Sequence, residues 1–325
     1  MIQGKAERPL EMVEKQPVRY LEIAEDDAGQ RIDHFLIREL KGVPKSRIYR
    51  MLRKGEVRVS GRRVKPSYRL QEGDRVRIPP VVLGETQAPE EIVTTLYGRR
   101  LEERILYEDE ALLVIDKPSG MAVHGGSGLL GGVIEGLRRV RPHSRVLELV
   151  HRLDRETSGV LLIAKKRSAL RKLHEAFREG EVEKRYLALL AWRWQEEEAT
   201  IDAPLRKFQL KGGERWVVVD RERGKPACTR FRRLRLLRDA TLVEAEPKTG
   251  RTHQIRVHAA SMGHPILGDE RYGSGEANER WRERGLTRLF LHAASMAFRH
   301  PKTGKWLEIS SPLPEELDRL LKRGD

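Results

Sequence analysis

The sequence predicts an α+β protein of two units: a small basic module of helices and short strands near the N-terminus, and a larger unit that mixes strands with helices. Three observations predict it. Apolar residues recur at helical spacing in some stretches and run together or alternate in others. Positive charge is crowded into one short stretch. A chain of 325 residues is also long for one domain and comfortable for two.

Residues 1–18 lack a clear period and read as a flexible tail. The first unit spans 19–82. Ile32, Phe35, Leu36 and Leu40 predict a helix over Gln30–Leu40, ended by Gly42-Val43-Pro44. Ser46 is the expected N-cap of a second helix carrying Ile48, Met51 and Leu52. Short strands follow at Val57–Val59, Arg62–Val64 and Asp74–Ile78, with turns at Ser60-Gly61 and Glu72-Gly73. Between Lys41 and Leu70 lie eleven bases, among them Lys45, Arg47, Arg50, Arg53, Arg58, Arg62, Arg63 and Lys65, opposed only by Glu56. A charge run is usually just a solvated face. Here the bases recur on a helix whose other face is apolar, so they share one side and make a surface for phosphates.

Pro79-Pro80 closes this unit, and the stretch to residue 102 reads as a linker. The larger unit, 103–325, is expected to hold strands at Ile105–Ile115, Val160–Ala164, Arg185–Trp192 and Thr241–Ala245. Its helices are expected at Val133–Val140, at Ser168–Arg178, from about Thr252, and at Pro314–Lys322. A hairpin joins Leu289–Phe298 to Trp306–Ile309.

The formal net charge is +15, and the large polyanion such a chain would meet in a cell is nucleic acid. No apolar run approaches a membrane span, and the N-terminus lacks the apolar core of a secretory signal. The single Cys228 gives neither a disulfide nor metal-ligand spacing, so a reducing cytoplasm fits best. Cys228 reads as a small, partly buried side chain rather than a nucleophile.

Two motifs invite chemistry and fail. Gly126-Ser-Gly128-Leu-Leu-Gly131 matches G-x-G-x-x-G, but a dinucleotide or methyl-donor site needs that turn directly off a strand, and Pro118-Ser-Gly120 breaks the strand too early. His253 and His258 stand about 140° apart on a helix, a poor chelating geometry. No metal and no cofactor are expected. The stronger candidates are two. Residues 151–159, His-Arg-Leu-Asp-Arg-Glu-Thr-Ser-Gly, form a charged, hydroxyl-rich loop running into an apolar strand that anchors it. Residues 250–258, Gly-Arg-Thr-His-Gln-Ile-Arg-Val-His, open a helix whose N-terminus and arginines favour anions. On physics alone Asp154 would more often be a salt bridge or turn cap. Paired with Arg256, it would be an anion suited to nucleophile or base duty, not to general acid duty.

These residues resemble the signature of the pseudouridine synthases that modify ribosomal RNA, the RluA family. His151-Arg-Leu-Asp-x-x-Thr-Ser-Gly159 matches completely. Asp116-Lys-Pro-x-Gly120, Lys184-Arg-Tyr-Leu-Ala188 and Gly250-Arg-Thr-His-Gln-Ile-Arg256 follow the family's order. Gly42-Val-Pro-Lys-Ser46 and Ala122-Val-His-Gly-Gly-Ser-Gly128 make the chain similar to members acting on the large subunit. The first unit resembles the S4 RNA-binding module through Arg31-Ile-Asp33, Gly55-Glu-Val-Arg-Val59 and Gly73-Asp-Arg-Val76.

The resemblance implies a mixed, mainly antiparallel sheet with a central catalytic cleft, no cofactor, and large-subunit ribosomal RNA or an assembly intermediate as partner, with the chain acting as a monomer. It implies Asp154 as the essential carboxylate, Tyr186 against the uracil, and Arg256 orienting Asp154. Arg152 would fill the space left by the flipped base. Lys117, His151 and Arg251 would contact RNA. Two rival readings are a non-catalytic RNA-binding protein, which the S4-like unit alone would support, and an S4-bearing methyltransferase using the glycine loop. A pseudouridine assay and S-adenosylmethionine binding, respectively, discriminate them.

Overall fold

The computed structural model describes residues 15–16, 18–40, 43, 45–82, 89–125, 131–209 and 215–323. It divides into two compact units, 1–89 and 90–325. In the first, strands β2 (Arg19–Glu22), β3 (Arg58–Val59) and β4 (Arg75–Ile78) form an antiparallel sheet in the order β2-β4-β3. Strands β1 (Lys15–Gln16) and β5 (Val81–Val82) pair separately, so part of the stretch read as a tail forms a strand. Helices α1 (Ile32–Glu39) and α2 (Lys45–Lys54) bury Ile32, Phe35, Leu36, Ile48, Met51 and Leu52 in one core. Asp33 ties them together. It is fully buried and accepts hydrogen bonds from Arg31 (2.7 Å) and from the Tyr49 hydroxyl on α2 (3.1 Å).

Three expectations for this unit need correction. Helix α2 already includes Lys45, so Ser46 lies in its first turn and is not the cap. Arg62–Val64 is not a strand: after the Ser60-Gly61 turn only Arg62 pairs back, to Val59, and Pro66 cannot donate to a ladder. Gly42 and Pro44 fall outside the described residues.

The second unit holds a ten-stranded sheet ordered β11-β14-β15-β10-β16-β9-β7-β6, with β17 paired to β16 and β8 to β9. These strands are β6 (Ile105–Glu108), β7 (Leu112–Lys117), β8 (Glu148–Leu149), β9 (Ser158–Ala164), β10 (Glu183–Ala191), β11 (Glu198–Asp202), β14 (Cys228–Leu236), β15 (Ala240–Pro247), β16 (Leu291–Arg299) and β17 (Trp306–Ser310). Only β9 and β16 pair in parallel, so the sheet is mixed and mainly antiparallel. A separate hairpin joins β12 (Leu205–Gln209) to β13 (Arg215–Val219). The helices are α3 (Pro89–Glu102), α4 (Val133–Val140), α5 (Arg167–Glu179), α6 (Gln254–Ser261), α7 (Gly275–Glu283) and α8 (Glu315–Arg323).

Ile105–Ile115 is two strands rather than one, because the Asp109 carboxylate accepts the backbone N–H groups of Ala111 and Leu112 (2.8 Å each) and bends the chain. Residues 89–102, read as linker, form α3. Leu101 is buried with Leu137 of α4, and the helices approach so closely that a Cβ at Gly98 would lie 2.3 Å from the Gly136 carbonyl. The catalytic-loop candidate runs from β8 into β9, all seven of whose residues are buried. Gly159 opens that strand at φ +108 beside Ala293 of β16. A Cβ there would sit 2.2 Å from the Ala293 carbonyl, which is why the loop motif ends on glycine.

Candidate active site

Asp154 stands in the β8–β9 loop, where its backbone carbonyl accepts Thr157 N–H (3.2 Å) and its carboxylate, 30 % exposed, faces a cavity of about 400 Å³. Arg152, Phe177, Lys184, Tyr186, Arg251 and Arg256 also line this cavity. The sheet explains the convergence. Strand β10 lies beside β16, and β16 beside β9, so Tyr186 of β10 comes to the mouth of the β9 loop. Helix α6 follows β15, the other neighbour of β10, and brings Arg256 from the opposite flank.

Arg256 is the hinge of the electrostatics. Its Nη1 donates to Asp154 Oδ2 (3.2 Å), while Nε and Nη2 donate to the two oxygens of Asp269 (2.7 and 2.8 Å). Asp269 is buried and also accepts the backbone N–H groups of Arg271 and Tyr272. Burial would raise the Asp269 pKa, but Arg256 and these amides hold it below the ordinary carboxylate value. Burial works against the Arg256 charge too, and Asp269, then Asp154, hold it above its usual value. The guanidinium is therefore fixed by a buried partner and leaves one N–H edge for the more exposed Asp154.

Behind this pair stand His253 and Tyr272. His253 is in the left-handed region (φ 54), rare for a residue with a side chain, and it presents Nε2 to Asp154 at 3.8 Å. The Tyr272 hydroxyl accepts Val217 N–H (3.1 Å) and shares a hydrogen bond with His253 Nδ1 (2.8 Å), which fixes the imidazole with Nε2 toward Asp154. Burial depresses the His253 pKa, leaving the ring neutral. Tyr186 is half-buried, and burial, then Asp154, raises its hydroxyl pKa, so it is a neutral phenol that can donate a hydrogen bond.

Among the other expected site residues, Arg152 is exposed and its guanidinium makes no hydrogen bond or ion pair among the described residues. Arg251 is exposed on the cavity wall and donates to the Pro226 carbonyl. Two expectations need correction. Lys117 is fully buried, and its Nζ donates to the carbonyls of Pro118, Met121 and Arg155 (2.8, 2.8 and 3.0 Å); burial pushes it down to about 7. It ties the Asp154 loop to the strand end and does not reach the surface. His151 accepts Leu162 N–H at Nε2 and stacks on Phe177, and burial lowers it to about 4, so it is a neutral brace rather than an RNA-binding cation. His258 is buried against Thr229 and the Ala203 carbonyl, and no cluster that could hold a metal occurs among the described residues. Gly126 and Gly128 of the glycine loop lie outside the described residues.

In the first unit, Arg50, Arg53, Arg58, Arg62, Arg63 and Lys65 are exposed, and Arg47 pairs with Glu56 at 2.8 Å. The Lys45 side chain lies outside the described residues. Sequence reasoning missed Asp269, His253 in its role beside the carboxylate, and Tyr272. Nothing in the charge pattern set Asp269 apart, since Glu270 follows it directly.

A mixed sheet with an anchored carboxylate at its centre matches a known class. Residues 111–261 match the RNA pseudouridylate synthase family, and residues 30–76 match the S4 domain. Over 314 residues, 96 % of this chain and 95 % of the relative, the sequence is 57 % identical to ribosomal large subunit pseudouridine synthase C of Pasteurella multocida (strain Pm70). It is 56 % identical over 310 residues, 94 % of this chain and 96 % of the relative, to the protein of the same name from Escherichia coli (strain K12). The solved structure of human RNA pseudouridylate synthase domain containing 4 superposes with a TM-score of 0.59 at 27 % identity, covering 71 % of this chain and 97 % of that one. Human RNA pseudouridylate synthase domain containing 1 gives 0.53 at 28 %, covering 68 % and 93 %. The chain belongs to the pseudouridine synthase family of isomerases, with an S4 domain in front.

Proposed function

We propose that this enzyme isomerises specific uridines of large-subunit ribosomal RNA, as a cytoplasmic monomer, with Asp154 as its essential carboxylate. The names of the relatives support the substrate. The observation that carries the site is the pairing of Asp154 with an Arg256 that a buried Asp269 locks in place. The reaction breaks N1–C1′, rotates the uracil and forms C5–C1′; C5 loses a proton and N1 gains one, so no group donor is consumed. Asp154 acts either on a carbon or on a ribose proton, and both need the anion to which Arg256 supplies the counter-charge. Tyr186 packs on the uracil, and its neutral hydroxyl stands where the C5 proton leaves, passing on its own proton as its oxygen takes that one up. The target must leave its stack, and Arg152 fills the gap, its flat guanidinium stacking and donating hydrogen bonds. The exposed bases of the S4 domain hold phosphates and add affinity rather than chemistry. Mapping pseudouridines in the ribosomal RNA of a strain lacking this gene, with and without the gene restored, tests the substrate. Loss and recovery at large-subunit positions are expected. An unchanged map would refute the assignment.

A further inference from the structure

A second cavity, of about 700 Å³, shares Arg152, Asp154, His253 and Arg256 with the first but does not include Tyr186. The two spaces therefore meet at the carboxylate, and the chemistry above uses only one of them. Trp216 of β13 lines the second, with Arg155 and Arg271. The indole is held in place: it meets Tyr272 edge-on at 5.6 Å, the Arg271 guanidinium lies 5.7 Å from its centroid, and Val217 next in the strand is pinned to the Tyr272 hydroxyl. Phe208 stands directly across from Trp216 in the hairpin register, on the same face, and is 39 % exposed. Four guanidinium groups, of Arg152, Arg155, Arg256 and Arg271, line the cavity beside four carboxylates: Asp154 and Asp269 are held by Arg256, Glu156 pairs with Arg155 (3.5 Å), and Glu270 pairs with Arg282 (3.1 Å) outside the lining. Aromatic rings flanked by guanidinium groups are the chemistry that holds unstacked bases and their phosphates.

We propose that this cavity receives the base adjoining the target uridine in the RNA chain, stacked on Trp216 with its phosphate toward Arg271. This rests on Asp154 marking the position of the target. Neighbouring bases share one short backbone, so a uridine held at Asp154 places the next nucleotide at the wall where the two cavities meet. Extruding the target also strips that neighbour of a stacking partner, and the indole replaces it. Every base has a π-face, so the platform selects an unstacked neighbour rather than a sequence.

The test is a cycle between protein and RNA, using the full chain carrying Asp154→Asn and a ribosomal RNA hairpin that the unaltered enzyme converts. Conversion of that hairpin by the unaltered enzyme tests the function proposed above separately from the cavity. An abasic residue on one side of the target should weaken equilibrium binding about ten-fold, and Trp216→Ala should do the same on intact RNA. On the abasic RNA, Trp216→Ala should cost nothing further, and Trp216→Phe should keep most of the affinity. Trp216→Leu keeps an apolar contact with Tyr272 but offers no ring, and it must show the same overlap if the alanine variant folds poorly. No loss from an abasic residue on either side, or losses that multiply instead of overlapping, would overturn the proposal.

Discussion

Replacing Asp269 by Asn asks whether the buried end of the Arg256 system governs both fold and chemistry. Asp269 is 2 % exposed and takes two guanidinium hydrogen bonds plus two backbone amides. Removing one partner of a buried pair leaves the other charge uncompensated and costs about 3–5 kcal/mol. Taking about 3 kcal/mol, and about 2–4 °C per kcal/mol for a unit of the size of Glu90–Asp325, Tm should fall by roughly 6–12 °C. Arg256 would then swing toward Asp154, and a displacement of about 1 Å in such a site costs on the order of a hundred-fold in rate. The stability loss carries a pH signature. Asp269 has its pKa lowered on folding from 3.8, so its contribution is complete above the unfolded value and fades as pH falls through the lowered folded one. The Tm gap between the enzyme and the Asn variant should therefore be full above about pH 4 and narrow only in stronger acid. Adding Arg256→Met should recover part of the Tm but none of the rate, since both charges are then gone. Calorimetry against pH, with single-turnover rates, is the assay. A variant with unaltered Tm and rate would refute the reasoning.

Arg152→Ala should slow conversion far more on a structured hairpin than on a matched unstructured oligomer, because only the first must give up a stacked base; equal loss on both would sink the gap-filling role. Lys117→Met leaves three carbonyls without their donor, each costing about 1–3 kcal/mol, so calorimetry should show a lower Tm, and an unchanged Tm would contradict the brace assigned to Lys117. Deleting residues 1–89 should weaken RNA binding and flatten its dependence on log salt while leaving the Asp154 site assembled; an unchanged salt slope would mean that the exposed bases of the S4 domain meet no phosphate.

Most of the fold was legible because its elements carry clean periods: β9 is a fully apolar run and α5 keeps Leu170, Leu173 and Phe177 on one side. Helix α3 was missed although Val93, Tyr97 and Leu101 are spaced four apart, because its polar, proline-led start resembles a linker and its partner α4 lies some 35 residues on. Asp154, Tyr186 and Arg256 were readable as motif residues. What holds them was not, because those contacts join residues distant in sequence: Asp154 and Arg256 are separated by 102 positions, and Val217 and Tyr272 by 55. Lys117 was misread because a lysine is ordinarily solvated. Its position just past the apolar run Leu112–Ile115 was the available warning. Trp216 sits in the stretch 193–226, where the sequence offers no motif at all.

The isomerisation is expected to depend on the partly exposed carboxylate of Asp154, held by Arg256. Asp154→Asn changes one oxygen to an amide at a site that contributes little packing, so fold and RNA affinity should stay near those of the unaltered enzyme. The decisive measurement is tritium release from ribosomal RNA labelled at uracil C5, made beside calorimetry and RNA binding on the same preparation. A folded, RNA-binding protein that releases no tritium above background is expected. Release near the rate of the unaltered enzyme would contradict the dependence on Asp154.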